Sequence, residues 1–271
     1  MKHTHILFSI LAFASVALFS SCEEVIDYDL DTAESKLVID GLISDQPGPY
    51  YVKLSLTAPY LKNEPTARVS GAVVIVKDDL NNIDTLKEEL PGNYKTSVSF
   101  PQGQVGRTYS LLVNYKGKNY TASGKILPVA NIDSLSYIYR KEGVSYPEDG
   151  YYVTMYAQEP AGQGNSYRFK FLQNGYFSNR SDRFIIANDE FVDGNYITFT
   201  TPFPVNMNDT IVLEGQSLTP EAYLYYMALV TQMNPNGFFD SPPANLPTNI
   251  SGGAVGYFNT VSIKYRGIRI K

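Results

Sequence analysis

Cys22 is the residue with the clearest chemical assignment, because its thiol directly follows an apolar leader. Lys2 gives the chain a positive start, and residues 6–19 are apolar apart from two serines. Such a run is too short for a permanent membrane span and is typical of a secretory signal core. Small residues then lead to Cys22, which is the arrangement of a bacterial lipobox. We therefore expect acylation of Cys22 and a lipoprotein signal peptide over residues 1–21. The alternative is a conventional secreted protein that retains a cysteine near its cleavage site.

The acyl chains would hold the protein on a membrane. Each buried methylene contributes about 0.8 kcal/mol, so one chain binds reversibly and two or three palmitate-like chains bind stably. Glu23 and Glu24 follow the cysteine and resemble the surface-export signal of Bacteroidetes lipoproteins. That resemblance implies a lipid-anchored outer-membrane protein exposed at the cell surface.

Several kinds of chemistry are excluded for the mature chain. Its two histidines, His3 and His5, both lie in the expected signal peptide, and Cys22 is the chain's one cysteine. Ser-His-Asp and Cys-His catalysis, Cys/His zinc sites and internal disulfides therefore have no residues to form them. Lys and Arg are scattered and the net charge is -5, which gives nucleic-acid binding no electrostatic support. We expect no enzyme activity, no catalytic residues, no cofactor and no metal site.

The acidic segment 22–35 predicts a solvated tether. Residues 27–31 alternate carboxylates as a calcium loop does, but Thr32 and Val38 stand where such a loop needs Gly and Glu. Whether calcium binds there stays open.

The fold class is predicted to be mainly β. The chain contains 22 tyrosines and 14 phenylalanines, and aromatic residues of these types favour strands. In the first half, turn residues at short spacing separate alternating runs, which predicts a sandwich over residues 36–129. We expect strands over residues 37–43, 50–56, 71–79, 86–90, 93–99, 109–114 and 120–126. Residues 69–128 resemble prealbumin-like and carboxypeptidase-regulatory-like sandwiches, so this N-terminal domain is expected to be Ig-like or prealbumin-like and to serve as a scaffold or docking module.

The second half, residues 130–271, predicts another antiparallel β domain with one helix. Residues 128–131 form the expected hinge between the two. Thr219 can cap a helix, Pro220 suits its first position, and apolar residues recur at helical spacing to about residue 233. Further strands are expected over residues 135–140, 151–157, 167–173, 260–264 and 268–270.

Two loops near the C-terminus predict a binding site. One is proline-rich and contains Phe238 and Phe239; the other follows Asn249 and is rich in glycine. Exposed aromatic and glycine-rich loops on a rigid scaffold commonly form concave sites. We expect ligand or partner contacts from Phe238, Phe239, Asn249, Gly252, Gly253, Gly256, Tyr257 and Phe258.

The same segment carries a family resemblance. A helix with paired tyrosines, a Pro-rich loop and then Asn-Ile-x-Gly-Gly-x-x-Gly-x-Phe resemble a Bacteroidetes outer-membrane lipoprotein family catalogued as domain of unknown function 4249. The early Leu-Val-Ile-Asp-Gly-Leu-Ile-Ser, Val-Ser-Gly-Ala-Val-Val and Pro-Gly-Asn-Tyr segments fit it too. The resemblance covers nearly all of the mature chain and implies no catalytic residues. It implies a TonB-dependent outer-membrane transporter as partner.

Four hydroxyls are candidates for O-glycosylation. Thr32, Thr85, Ser134 and Thr210 each follow an aspartate and precede an apolar residue, which resembles the Bacteroidetes O-glycosylation pattern. The alternative is that Asp-Thr and Asp-Ser simply lead from a turn into a strand.

Three functions remain open from the sequence. The favoured hypothesis is a non-catalytic, surface-anchored lipoprotein that acts as accessory or ligand-binding partner of a TonB-dependent transporter. The second is a structural or assembly lipoprotein of the cell envelope. The third is a carboxylate-based glycan hydrolase, which would need two acids about 5–9.5 Å apart across a cleft.

Overall fold

Seventeen strands and one α-helix make up the described part of the chain. The computed structural model describes residues 34–58, 65–178, 180, 183–234 and 245–271. The strands are β1 Leu37–Ser44, β2 Tyr51–Leu56, β3 Val73–Asp78, β4 Ile83–Thr85, β5 Lys87–Leu90, β6 Asn93–Lys95, β7 Thr108–Tyr115, β8 Lys118–Lys125, β9 Ile132–Arg140, β10 Gly150–Gln158, β11 Ser166–Gln173, β12 Tyr176–Phe177, β13 Ile185–Asn188, β14 Tyr196–Thr200, β15 Thr210–Leu218, β16 Val255–Val261 and β17 Ile263–Arg269; the helix α1 is Pro220–Met233. The predicted mainly β fold with antiparallel sheets and one helix is confirmed.

The first sandwich packs two sheets on one core. Sheet A has the strand order β16-β1-β2-β6-β5, and sheet B has the order β4-β3-β7-β8. Alternate residues of each strand point into the space between the sheets, as the two-residue period of a strand requires. Ile39 and Leu54 of sheet A and Val74, Leu111 and Val113 of sheet B are buried there. Sheet B therefore presents its other face outward.

Both edges of this sandwich are closed. At one edge the chain passes from β4 in sheet B to β5 in sheet A through the buried Leu86, whose N–H donates to the Val74 carbonyl at 2.8 Å. At the other edge β8 approaches β16 closely: a Cβ on Gly124 would lie 2.4 Å from Thr260 Oγ1. Closure of this kind protects strand edges from pairing with other chains.

The strand β16 comes from the far end of the sequence. It pairs parallel with β1 from Val38↔Val255 to Ser44↔Val261, whereas the other strand pairs in the described ranges are antiparallel. The predicted domain boundary at residue 129/130 separates β1–β8 from β9–β15, but β16 crosses it. Contacts within Ser35–Lys271 are dense enough that this range forms one compact unit.

The second sandwich packs sheet C on sheet D. Sheet C has the order β14-β10-β9; sheet D has the order β12-β11-β15-β17, with β13 also paired to β11. Their shared core includes Val153 and Met155 of β10, Phe169 and Phe171 of β11, and Leu213 of β15. The chain runs directly from β16 in the first sandwich into β17 in the second, with one residue, Ser262, between them.

A polar joint fixes this crossing. The Asp45 carboxylate, which follows β1, accepts hydrogen bonds from Ser262 Oγ at 2.5 Å and from the Ile263 N–H at 2.8 Å. Ser217 Oγ donates to the Leu127 carbonyl at 2.7 Å and accepts from the Ser262 N–H at 2.9 Å. The joint therefore connects Leu127, which directly precedes the predicted hinge 128–131, to both sandwiches.

The helix α1 begins and ends where the sequence predicts. Thr219 Oγ1 accepts from the Ala222 N–H at 3.2 Å, and Pro220 occupies the first turn, as expected of a capped helix. Its buried residues, Ala222 and Tyr226, pack against Leu218 and Tyr257. Among the helices of the described ranges, no segment has the length and apolar character needed to cross a bilayer.

Candidate functional site

A cavity of about 550 Å³ lies on the outward face of sheet B. Its volume is within the range of ordinary ligand sites. The floor consists of outward side chains of β3, β4, β7 and β8, and the segment just before β16 supplies one wall. The lining residues are Ile75, Lys77, Ile83, Ser110, Leu111, Leu112, Thr121, Ala122, Ser123, Asn249 and Ser251.

The strand registers arrange the floor in two rows across the sheet. One row is Thr85–Ile75–Leu112–Thr121, with aliphatic side chains at its centre. The other is Ile83–Lys77–Ser110–Ser123, with an ammonium group and two hydroxyls. Neighbouring strands lie about 4.8 Å apart, so the apolar row and the polar row run side by side. The cavity can thus contact an aliphatic group and a polar or charged group of one ligand together.

The wall of the cavity is tied to both sheets of the first sandwich. Ser251 exchanges backbone and side-chain hydrogen bonds with Thr121 of β8, including a 2.6 Å contact between the two hydroxyls. The Asn249 amide accepts from the Phe258 N–H at 3.0 Å and donates to the Phe258 carbonyl at 2.9 Å, in the manner of a neighbouring strand. Asn249, a predicted contact residue, therefore lines the cavity and also holds β16 in place.

The predicted glycines serve the backbone at this wall. Gly252, Gly253 and Gly256 have φ angles of 79, 82 and 98°, in the left-handed region that favours glycine. A Cβ on Gly256 would lie 2.2 Å from the Ile39 carbonyl oxygen, and one on Gly252 would lie 2.7 Å from the Asn119 carbonyl oxygen. Gly256 thus permits the close approach of β16 to β1, and Gly252 permits that of the preceding segment to β8. Backbone packing is therefore sufficient to explain these two glycines.

Tyr257 and Phe258 need a correction as contact residues. Both were expected in a binding loop, but they lie in β16 with 4% and 1% of their surface exposed. The Phe258 ring covers Gly41 in the first core, and Tyr257 packs beneath α1 with Tyr225 at a ring distance of 4.9 Å. Their side chains are buried because one face of β16 packs into the first core and the other packs under α1, so they cannot touch a ligand on this face.

Other predicted positions are distributed as follows. Thr85, Ser134 and Thr210, three of the glycosylation candidates, are exposed at or near strand beginnings or ends. Exposure is necessary for O-glycosylation but does not test it, so the modification of these three residues stays a prediction. The lipidation residue Cys22, the candidate Thr32 and the two loop phenylalanines, Phe238 and Phe239, lie outside the described residues.

Two cationic side chains, Lys170 and Arg168, lie in the second sandwich. Lys170 of β11 donates to Glu214 of β15 at 3.2 Å, and its ammonium lies 3.9 Å from the centre of the Phe177 ring. Burial lowers the pKa of Lys170, because desolvation outweighs the attraction of Glu214. Arg168, next along the same face, donates to Gln216 at 2.9 Å and stacks on Tyr226 at 4.1 Å. Arg168 and Lys170 are therefore each paired with a polar side chain of the neighbouring strand β15.

Glu159 is the other group with a notable environment. Its carboxyl is 1% exposed; Oε1 accepts from the Tyr167 hydroxyl at 2.8 Å, and Oε2 has no hydrogen-bond partner. Burial raises the pKa of Glu159, and the nearby carboxylates of Asp189 and Asp193 raise it further. Within the described ranges, no three acidic, histidine or cysteine side chains are grouped so that they could hold a metal ion.

Replacement of Glu159 by glutamine is expected to increase the free energy of unfolding at pH values above 7. Because the folded-state pKa exceeds the ordinary value of 4.5, folding favours the protonated acid, and that stabilisation is lost as pH rises through the folded pKa. Glu159→Gln keeps an acceptor for Tyr167 but cannot ionise. In urea titrations between pH 4 and 8, the free energy of unfolding of the variant should therefore exceed that of the wild type most at pH 8 and approach it at pH 4.

Glu190→Gln, at an exposed position in the loop after β13, is the matched control. If the Glu159→Gln and wild-type profiles run parallel across this pH range, the buried acid does not titrate with folding and the assignment is wrong.

The outward face of sheet B was not found from the sequence. Val73, Val74, Ile75 and Val76 are consecutive apolar residues, a pattern typical of a central buried strand. In the structure Val74 and Val76 are buried, whereas Val73 is 49% exposed. The outward hydroxyls at alternate positions of β7 and β8 were the available signal, since they show that one face of the sheet is polar.

A model of one protein family matches most of the chain. It is described as Domain of unknown function (DUF4249) and matches residues 23–266. A search of curated proteins gave no match. Among solved structures, a two fibronectin type-III domain segment from chicken tenascin is similar, with 11% identity, 69% of this chain and 92% of that chain covered, and a TM-score of 0.20. At that TM-score the likeness supports no argument about this protein.

Proposed function

The chain belongs to the DUF4249 family, a domain of unknown function, and from that premise we propose that it is a non-catalytic binding protein of the outer membrane. In this proposal the acylated Cys22 anchors it at the cell surface, and the folded part acts as accessory to a TonB-dependent transporter. The cavity on the outward face of sheet B is its contact site.

One observation supports a binding role above the others. Asn249 and Ser251, from the glycine-rich segment that was predicted to bind, lie in the wall of the cavity. Its floor exposes aliphatic side chains, and a partner that covered them would stabilise the protein by removing apolar surface from water. Ile83 and Val73 on this face are 62% and 49% exposed. Exposed apolar groups that adjoin hydroxyls and an ammonium are typical of an interaction surface.

The lining bears on the alternatives as well. A glycan hydrolase would need two carboxyl groups facing each other across the cavity, and the described lining contains no carboxylate. The hydrolase hypothesis therefore gains nothing from this site. A purely structural envelope role would also use an exposed face, and the experiment below separates it from transport.

The proposal is tested by purification from the native membrane in a mild detergent. We expect the wild-type lipoprotein to co-purify with an outer-membrane β-barrel transporter, and a Cys22→Ala variant to leave the membrane fraction. Isolation of the lipoprotein without any barrel protein would contradict the transporter partnership. Disturbed assembly of surface proteins with intact nutrient uptake, after substitutions in the cavity, would instead support the structural role.

A further inference from the structure

The outward face of sheet B differs in charge from the rest of the chain. Strand alternation places Lys77 of β3 and Lys125 of β8 on this face. None of the outward strand positions of β3, β4, β7 and β8 is an aspartate or glutamate, although the chain as a whole has a net charge of -5. Neither lysine forms an ion pair within the described ranges. The Asp79 carboxylate, which directly follows β3 and accepts from the Thr108 N–H, is paired with Arg107. The two lysines therefore leave the described face locally cationic.

The two lysines are separated in a way that suits an extended ligand. Lys77 pairs with Ser110 of β7, and Lys125 pairs with Thr108, two residues away on the same strand. Strand spacings place the two positions about 12 Å apart, diagonally across β7. A single small anion cannot contact both, whereas an extended chain with charges on alternate residues can.

Next to these charges the floor is aliphatic, in the row on the side of Lys77 away from Lys125. Ile75 and Leu112 are neighbours across β3 and β7, and Ile83 stands beside Lys77 at the edge. In an extended peptide successive side chains point to opposite sides, and residues two apart lie about 6.6–6.8 Å apart on one side. One side of such a peptide can therefore supply an aliphatic group to this floor and carboxylates to the lysines.

We propose that this face binds an extended acidic peptide segment of a partner protein, in which carboxylates meet Lys77 and Lys125 and an aliphatic side chain covers Ile75 and Leu112. This inference rests on the proposed function, because it identifies the partner chemistry of the same cavity. A glycan fits the face less well, because none of the outward strand positions of sheet B carries an aromatic side chain on which a sugar could stack.

The binding test uses the full-length protein in a non-ionic detergent and fluorescently labelled decapeptides. The probes have serine at every second position and the repeat Glu, Glu, Val at the positions between, so that one side of the extended chain presents both carboxylates and an aliphatic group. This Glu-Val peptide is matched by a Gln-Val peptide and a Lys-Val peptide, in which Gln or Lys replaces the glutamates. Fluorescence anisotropy should show binding of the Glu-Val peptide that weakens as salt rises, because surface charges are screened. The other two peptides should bind at least tenfold more weakly.

Variants locate the site. Lys77→Glu should weaken binding of the Glu-Val peptide tenfold or more, since it replaces attraction by repulsion, whereas Lys77→Arg should retain binding. Ile75→Thr should weaken it a few-fold through the lost aliphatic contact. Lys87→Glu is the matched control, because Lys87 is exposed on β5 of sheet A and its substitution makes the same change in net charge. Thermal unfolding of each variant excludes a loss of fold.

The outcomes separate this inference from the proposed function. Equal effects of Lys77→Glu and Lys87→Glu, or equal binding of the Glu-Val and Gln-Val peptides, would overturn the acidic-peptide assignment. If these failures occur while the protein still co-purifies with a barrel transporter, only the inference fails. If a soluble glycan but no peptide binds at this face, the partner chemistry is wrong and the cavity is a carbohydrate site.

Discussion

Gly256→Ala is expected to cause one of the largest losses of stability of any single methyl addition in this protein. The backbone φ of Gly256 is 98°, and the added Cβ would lie 2.2 Å from the Ile39 carbonyl oxygen and 3.0 Å from the Ile39 carbonyl carbon. Neighbouring backbone cannot yield as a flexible side chain can. The left-handed conformation alone costs about 1–3 kcal/mol for a residue with a Cβ, and separation of β16 from β1 adds to it. We expect a total loss of about 4 kcal/mol or an unfolded first sandwich.

Gly106→Ala is the matched control, and it separates the conformational strain from the cost of moving β16 away from β1. Gly106 has a φ of 88°, but a Cβ built there has no atom within 4 Å. Gly106→Ala should therefore cost only the conformational strain, about 1–2 kcal/mol. Urea unfolding monitored by tyrosine fluorescence measures both variants. Equal losses at the two sites would show that the close approach of β16 to β1 contributes nothing, and would contradict the argument.

Asp45→Ala is expected to loosen the joint between the two sandwiches. Asp45 accepts hydrogen bonds from the Ile263 N–H and from Ser262 Oγ. Its removal leaves the Ile263 N–H without that acceptor at a buried position. Such a loss costs about 2–4 kcal/mol when the acceptor is a carboxylate and the donor stays buried. Hydrogen exchange at Ile263 and proteolysis within residues 127–131 should both become faster.

Two variants test this interpretation. Asp45→Asn keeps an oxygen acceptor for Ile263 and an amide that can donate to Ser262 Oγ, so it should lose less than half as much stability. Asp149→Ala removes a carboxylate that also accepts two hydrogen bonds, from the Glu142 N–H and the Tyr139 hydroxyl, but at an exposed position. A loss at Asp149 as large as that at Asp45 would mean that the joint has no special role.

Local signals were sufficient for the elements with strong boundaries. Thr219 and Pro220 mark the start of α1 by cap chemistry, and the helix occupies residues 220–233 as expected. The seven strands predicted in the first half all occur, since turn residues separate their alternating runs. The Tyr109 ring is buried, and its hydroxyl accepts from the Gln104 N–H at 3.0 Å.

The strand β15 was missed because its polar residues are buried. Glu214 and Gln216 are 4% and 1% exposed, whereas a strand facing the solvent would expose such side chains. Their partners, Lys170 and Arg168, lie on the neighbouring strand β11 more than forty residues earlier in the chain. Alternation within β15 cannot show that a charge on another strand satisfies these groups.

The sequence by itself predicted the main strands of the first half, the capped helix and the glycine-rich turn before β16, because each depends on neighbouring residues or on backbone sterics. Lipid attachment at Cys22 stays a prediction. Tertiary structure alone decided that β16 lies parallel to β1, some two hundred residues away, and therefore that Tyr257 and Phe258 are buried. It also decided that Lys77, Ser123 and Asn249 border one cavity, since strand register across β3, β7 and β8 sets which side chains share a face.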